Sequence, residues 1–170
     1  NDKQDKKYNE AYFNRFKNTW HHGDFVEIKK SNGLIIHGRS DTTLNPGGVR
    51  LGTAEIYSQV EKFKEIKESI VIGQSWDNDV RIILFIVMNH KHNFSEDLVG
   101  KVKIEIKKNA SPKHVPSKIL EVKDIPRTKS GKIVELAVKN IIEGNTIKNK
   151  EALANPEALK QFKNLRDIYN

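Results

Sequence analysis

Two apolar, largely β-branched runs, Ser69–Gln74 and Val80–Met88, most constrain what this chain can become. Each has strand length, and a short polar connection around Trp76-Asp77-Asn78-Asp79 separates them. Helical spacing flanks the pair. From Thr53 to about Phe63, Ile56, Tyr57, Val60 and Phe63 share one face, with Thr53 as the expected N-cap. From Ser95 to Asn109, Leu98, Val102 and Ile106 form the stripe and Ser95 the cap. Lys118–Val122 reads as a further strand. Val134–Glu143 reads as a helix carrying Leu136, Val138, Ile141 and Ile142, stopped by Gly144. Asn155-Pro156 opens a last helix, with Leu159, Phe162 and Leu165 on one side. The fold class is α+β: a short sheet with helices packed on it, spanning residues 41–170.

The N-terminal part has a different character. Residues 1–19 are polar and lysine-rich, and Tyr8, Tyr12, Phe13 and Phe16 are anchors expected to pack on something outside this sequence. Phe25–Lys30 and Leu34–His37 read as a hairpin across Ser31-Asn32-Gly33. Gly38 to Gly52 is loop-like, with Asn45-Pro46-Gly47-Gly48 as its strongest breaker. Residues 1–40 are expected to close the edge of a separate, larger body. The first residue is Asn rather than Met, which suggests a fragment.

Charge narrows the partners. Lys and Arg number 30 against 22 Asp and Glu, a net charge of +8 and a pI near 9.5. Such an excess attracts polyanions: nucleic acid, anionic lipid, or phosphate-rich small molecules. The lysines are spread along the chain, and the aromatics fall at apolar helix or strand positions, so no base-stacking platform is evident. No apolar run approaches the ~20 residues of a membrane span, and no signal-peptide core is present. With no cysteine, disulfides and cysteine-ligated metals are excluded. The expected compartment is the cytoplasm.

Three polar clusters carry the candidate chemistry. In Trp20-His21-His22-Gly23-Asp24, a carboxylate at the mouth of a strand can accept two hydrogen bonds from a ribose diol; it also suits an ordinary turn. His21 and His22 are neighbours on an extended segment, so they cannot easily share a metal ion. In the second cluster, Gly38 to Leu51, Arg39 and Arg50 flank paired glycines that let backbone approach a bulky ligand. The third, Thr128-Lys129-Ser130-Gly131-Lys132, presents a lysine from a glycine-containing turn, suited to a phosphate or carboxylate or to nothing beyond solvent.

The order of these features, Asp24, Gly38-Arg39-x-Asp41, Gly48-x-Arg50 with Glu55-Ile56, and Pro126-x-Thr128-x-Ser130-Gly131-Lys132, resembles the adenylate-forming, AMP-dependent acyl-CoA synthetases, luciferases and peptide-synthetase adenylation domains. The resemblance runs from about Trp20 to the end. Gly38 to Tyr57, Ser111 to Pro116, Gly131 to Val138 and Ala152 to Glu157 look like the branch acting on acetoacetate. It implies a small mobile C-terminal lid behind a large N-terminal domain that holds the acyl pocket and most of the ATP site. It also implies ATP, AMP, coenzyme A and a short acyl substrate as ligands, with Mg held largely by that domain. Lys132 matches the catalytic lysine, Asp24 the ribose-binding acid, Arg39 the nucleotide-contacting arginine and Asp41 the hinge. Gly48 is expected against pantetheine, and Arg50 and Lys107 near nucleotide phosphates. The alternatives are a basic nucleic-acid-binding module or a sibling ligase for another short acid. The resemblance implies neither nucleic acid nor membrane as a partner.

Overall fold

The computed structural model describes residues 3–147, 150–163 and 165–169. Its centre is a three-stranded sheet of β3 (Ile66–Trp76), β4 (Asp79–Met88) and β5 (Lys118–Glu121). β3 and β4 pair antiparallel through a tight turn in which Asp77 and Asn78 both have positive φ, 49° and 59°. That geometry matches the right-handed twist of the strands. β5 adds to β4 in parallel.

Side-chain alternation explains why both strands read as unbroken apolar runs. Val71, Ile82, Leu84 and Ile86 point into one core, with Ile56 and Val60 from α2 (Thr53–Val60) and Leu98, Val102 and Ile106 from α3 (Glu96–Asn109). Ile70, Ile72, Ile83, Phe85 and Val87 point into a second core. Val138 and Ile142 of α4 (Glu135–Ile142) cover it, with Leu159 and Phe162 of a 3₁₀ segment, Pro156–Phe162. Phe162 meets Phe85 edge-on at 5.0 Å. Both faces of the sheet are therefore covered, and the tail is part of the core.

Some sequence expectations shift. Ser95 caps α3 as expected, its hydroxyl accepting the Leu98 N–H. Thr53 is not the cap of α2: Gly52 is, and Thr53 is the first helical residue, buried. The reason is proximity, since a Cβ on Gly52 would lie 2.3 Å from the His37 carbonyl oxygen. Leu136 faces outward, because Glu135, Val138 and Ile142 take the inner side of α4. Gly144, at φ 72°, ends that helix. The last expected helix is 3₁₀ from Pro156, followed by the short α5 (Arg166–Tyr169).

The hairpin forms with shifted ends: β1 runs Asp24–Ile28, stopping two residues before the expected Lys30, and β2 runs Leu34–Arg39, two residues past the expected His37; they pair antiparallel, with a bulge at Phe25/Val26. Asn32, at φ 62°, makes the turn. Ahead of it lies a short helix, α1 (Lys6–Tyr12), with the rings of Tyr8, Tyr12 and Trp20 in successive tilted contact at 5.3 and 5.6 Å. Ile28, Leu34 and Ile36 remain 73, 65 and 62% exposed. The hairpin meets the sheet-and-helix part where β2 lies against the start of α2. There His37 Nδ1 is 3.3 Å from Glu55, which also holds buried His114, while His37 Nε2 is 3.2 Å from Glu27.

Candidate functional site

The register of the hairpin places Asp24 opposite Arg39. The Arg39 guanidinium lies over Gly23, where a Cβ would come within 2.7 Å of it. Arg39 donates to the His22 carbonyl at 3.0 Å and forks onto both Asp41 oxygens at 3.3 Å. The Asp24 carboxylate is 3.7 Å from it and 2.5 Å from His22 Nδ1. Asp41, foremost through these hydrogen bonds, raises the Arg39 pKa above its usual value, so the guanidinium stays charged at any working pH.

The chain after Arg39 is anchored to the hairpin. Ser40 donates to the Gly23 carbonyl through its N–H at 2.8 Å and its hydroxyl at 3.0 Å. The Thr42 and Thr43 hydroxyls donate to the Arg39 carbonyl at 3.3 and 3.1 Å. Asp41 thus sits in a well-bonded corner between the hairpin and the rest.

Lys132 comes from the connection between β5 and α4. The Gly131 N–H donates to the Thr128 carbonyl at 2.8 Å, and Gly131 has φ 83°, a backbone region that suits glycine. The Lys132 N–H donates to the Thr128 hydroxyl at 3.1 Å, and Arg127 donates to the Gly131 carbonyl at 2.9 Å. This compact turn presents the exposed Lys132 side chain to a cleft of about 510 Å³. Tyr12, His22, Arg39, Asp41 and Lys132 are among its walls. Residues far apart in sequence therefore converge: Arg15, Arg39 and Lys132 with His21 and His22, beside the Asp41 carboxylate. Chemically the cleft can hold a nucleotide and balance charge on its phosphates.

Below the Lys132 turn lies a network that the sequence did not reveal. Tyr57 donates to Glu135 at 2.8 Å and accepts the Val71 N–H at 3.1 Å. Burial, foremost, pushes the Glu135 carboxyl above its ordinary pKa, against hydrogen bonds from Tyr57 and Thr53 that pull it down. Burial and the Glu135 charge push the Tyr57 phenol well up.

The remaining expected residues lie elsewhere. Gly48 and Arg50 belong to the exposed loop that begins with the 3₁₀ turn Pro46–Gly48. Gly47 and Gly48 have φ of 58° and 77°, and a Cβ on Gly48 would meet nothing within 4 Å. Lys107 is exposed in the last turn of α3 and does not line the cleft. Among the described residues no group of three or more His, Asp or Glu side chains could hold a metal ion. No helix among them is long and apolar enough to cross a membrane.

No protein-family model matches the chain. Among solved structures, an acetoacetyl-CoA synthetase from Streptomyces lividans matches with a TM-score of 0.88 at 34% identity, over 100% of this chain and 26% of that one. The anthranilate CoA ligase AuaEII, solved with anthranoyl-AMP, matches over 75% of this chain and 24% of its own with a TM-score of 0.65; at 24% identity it bears on fold alone. The fold is that of the C-terminal domain of an acyl-CoA synthetase. An acetoacetyl-coenzyme A synthetase of Rhizobium meliloti is 56% identical over 99% of this chain and 26% of its own length. The enzyme of Danio rerio is 46% identical over 100% and 26%. The chain is thus homologous to the C-terminal region of acetoacetyl-CoA synthetases, and it spans about a quarter of their length. Nothing in these comparisons supports a nucleic-acid-binding module.

Proposed function

We propose that this chain is the C-terminal part of an ATP-dependent acid–thiol ligase that activates acetoacetate and passes it to coenzyme A. In the first step a carboxylate oxygen attacks the α-phosphorus of ATP, the bond to the β-phosphate breaks, and pyrophosphate leaves. In the second the coenzyme A sulfur attacks the acyl carbon, loses its proton, and AMP leaves. The observation that carries this reading is the convergence of Lys132 on the cleft walled by Arg39 and Asp41.

In this proposal Lys132 neutralises charge that builds on the phosphate and carboxylate oxygens in the first step, a preorganised electrostatic role. Asp24 accepts the ribose hydroxyls, and Arg39 holds the nucleotide. Residues 1–40 belong to a large N-terminal domain and residues 41–170 form the mobile lid, with Asp41 as pivot. After adenylation the lid swings, Lys132 withdraws, and Gly48 and Arg50 face the pantetheine arm, with Lys107 and Arg50 as phosphate contacts. The exposed Ile28, Leu34 and Ile36 support a partner body beside the hairpin. Mg would accompany the ATP phosphates; the described residues offer no cluster to hold it, so it is assigned to the N-terminal domain and no step here runs through it. ATP and coenzyme A as ligands fit a cytoplasmic site of action.

The test is acid-dependent pyrophosphate exchange by the full-length ligase, compared across short acids. Acetoacetate should support the fastest exchange and yield its coenzyme A thioester. Preference for another acid would favour a sibling ligase, and no exchange with any acid would refute the reading.

A further inference from the structure

The loop assigned to coenzyme A is held at its tip by a residue from outside it. Both carboxylate oxygens of Asp79, the first residue of β4, accept the Gly47 N–H, at 2.9 and 3.0 Å. Asp79 Oδ1 also accepts its neighbour's N–H, from Val80, at 2.7 Å. These amide donors, Val80 first and Gly47 next, hold the Asp79 carboxyl below its ordinary pKa, and nearby Lys113 contributes. Lys113 Nζ approaches the same point from beyond α3: a Cβ on Gly47 would lie 3.2 Å from it.

The covalent chain between Asn45 and Arg50 leaves the backbone freedom to choose, since Gly47 and Gly48 both adopt positive φ and glycine populates either sign. Leu44 and Leu51 bridge the base of the loop through paired N–H to carbonyl bonds of 3.0 and 2.9 Å. Within the tip, the Val49 N–H donates to the Pro46 carbonyl at 3.2 Å. That short turn fixes the tip's shape but not its tilt. The Asp79 grip on Gly47 is what ties the tip to the sheet.

We propose that Asp79 is a positioning residue for the thioester-forming step, fixing the Gly48–Arg50 tip in the path of the pantetheine arm. This rests on the function proposed above. Asp79 is not among the residues lining the Lys132 cleft. It acts through the Gly47 amide, and the tight β3–β4 turn sets its place. Adenylation, which depends on the Lys132 cleft, does not involve it.

The test uses the full-length ligase with its two half-reactions measured separately, and hydrogen exchange at the Gly47 amide. Asp79→Ala should speed Gly47 exchange and lower thioester formation, through a higher KM for coenzyme A, by about tenfold, while pyrophosphate exchange stays within about twofold of wild type. Asp79→Asn keeps an acceptor oxygen and should recover most of both losses. The proposal is overturned if Asp79→Ala leaves the coenzyme A step unchanged, lowers both half-reactions alike, or is matched by Asp79→Asn. Failure of the wild-type ligase to form any thioester is a separate outcome: it contradicts the proposed function and removes this inference with it.

Discussion

Tyr57→Phe removes a single oxygen from the network beneath the Lys132 turn. That oxygen has two partners: it donates to Glu135 at 2.8 Å and accepts the N–H of fully buried Val71 at 3.1 Å. β3 is an edge strand of its sheet, so no neighbouring strand replaces Tyr57 there. Phenylalanine keeps the ring packing, and the loss is therefore polar. An unsatisfied buried amide costs about 1–3 kcal/mol, and a hydrogen bond to a charged group contributes about 1.5–3 kcal/mol. Glu135 retains help from Thr53, which places the expected total at about 2–4 kcal/mol. Against a typical domain stability of about 5–15 kcal/mol this is a large fraction. Urea unfolding of the 170-residue chain should show a lower midpoint with an unchanged slope. A loss below about 0.5 kcal/mol, the size of an ordinary surface substitution, would refute the claim that this hydroxyl satisfies the edge of β3.

Glu135→Gln gives a pH test in the same place. The folded-state pKa of Glu135 is raised, so the folded chain holds that proton to higher pH than the unfolded one, and stability falls as pH rises through the window above the ordinary carboxylate value. Unfolding across that window should show the glutamine variant gaining on wild type, with the difference level beyond it. Ser95→Ala should cost about 1 kcal/mol by urea melting, because the Leu98 N–H loses its cap. Phe162→Ala should cost about 3–5 kcal/mol by the same measurement, since the tail residue is fully buried against Phe85. In the full-length ligase, Asp41→Pro should preserve pyrophosphate exchange and stop thioester formation in single-turnover assays, because proline fixes φ at the proposed pivot.

Local chemistry made much of the fold legible in advance. Continuous apolar runs announced β3 and β4, and Ser95, Gly144 and Asn32-Gly33 marked a helix start, a helix stop and a turn. What escaped was set by distant approach. Gly52 is the cap of α2 because His37 leaves no room for a side chain, a contact that no local pattern encodes. Leu136 has the spacing of a core residue, yet the inward place beside it belongs to Glu135, whose partner Tyr57 comes from another helix. The cleft was partly legible: Asp24, Arg39, Asp41 and Lys132 were singled out by type and order, and the hairpin register brings the first three together. The Asp79–Gly47 contact and the pairing of Glu27, His37, Glu55 and His114 were not, because these partners meet only once the chain is folded.

In the proposed mechanism Lys132 serves the first half-reaction alone. The most direct measurement compares Lys132→Ala with wild type in the full-length ligase, assaying acyl-adenylate formation by pyrophosphate exchange and thioester formation from supplied adenylate. Adenylation should be abolished while thioester formation is largely preserved, and acetylating Lys132 should reproduce the alanine result by removing the charge. Equal loss of both half-reactions, or adenylation at the wild-type rate, would contradict that role for Lys132.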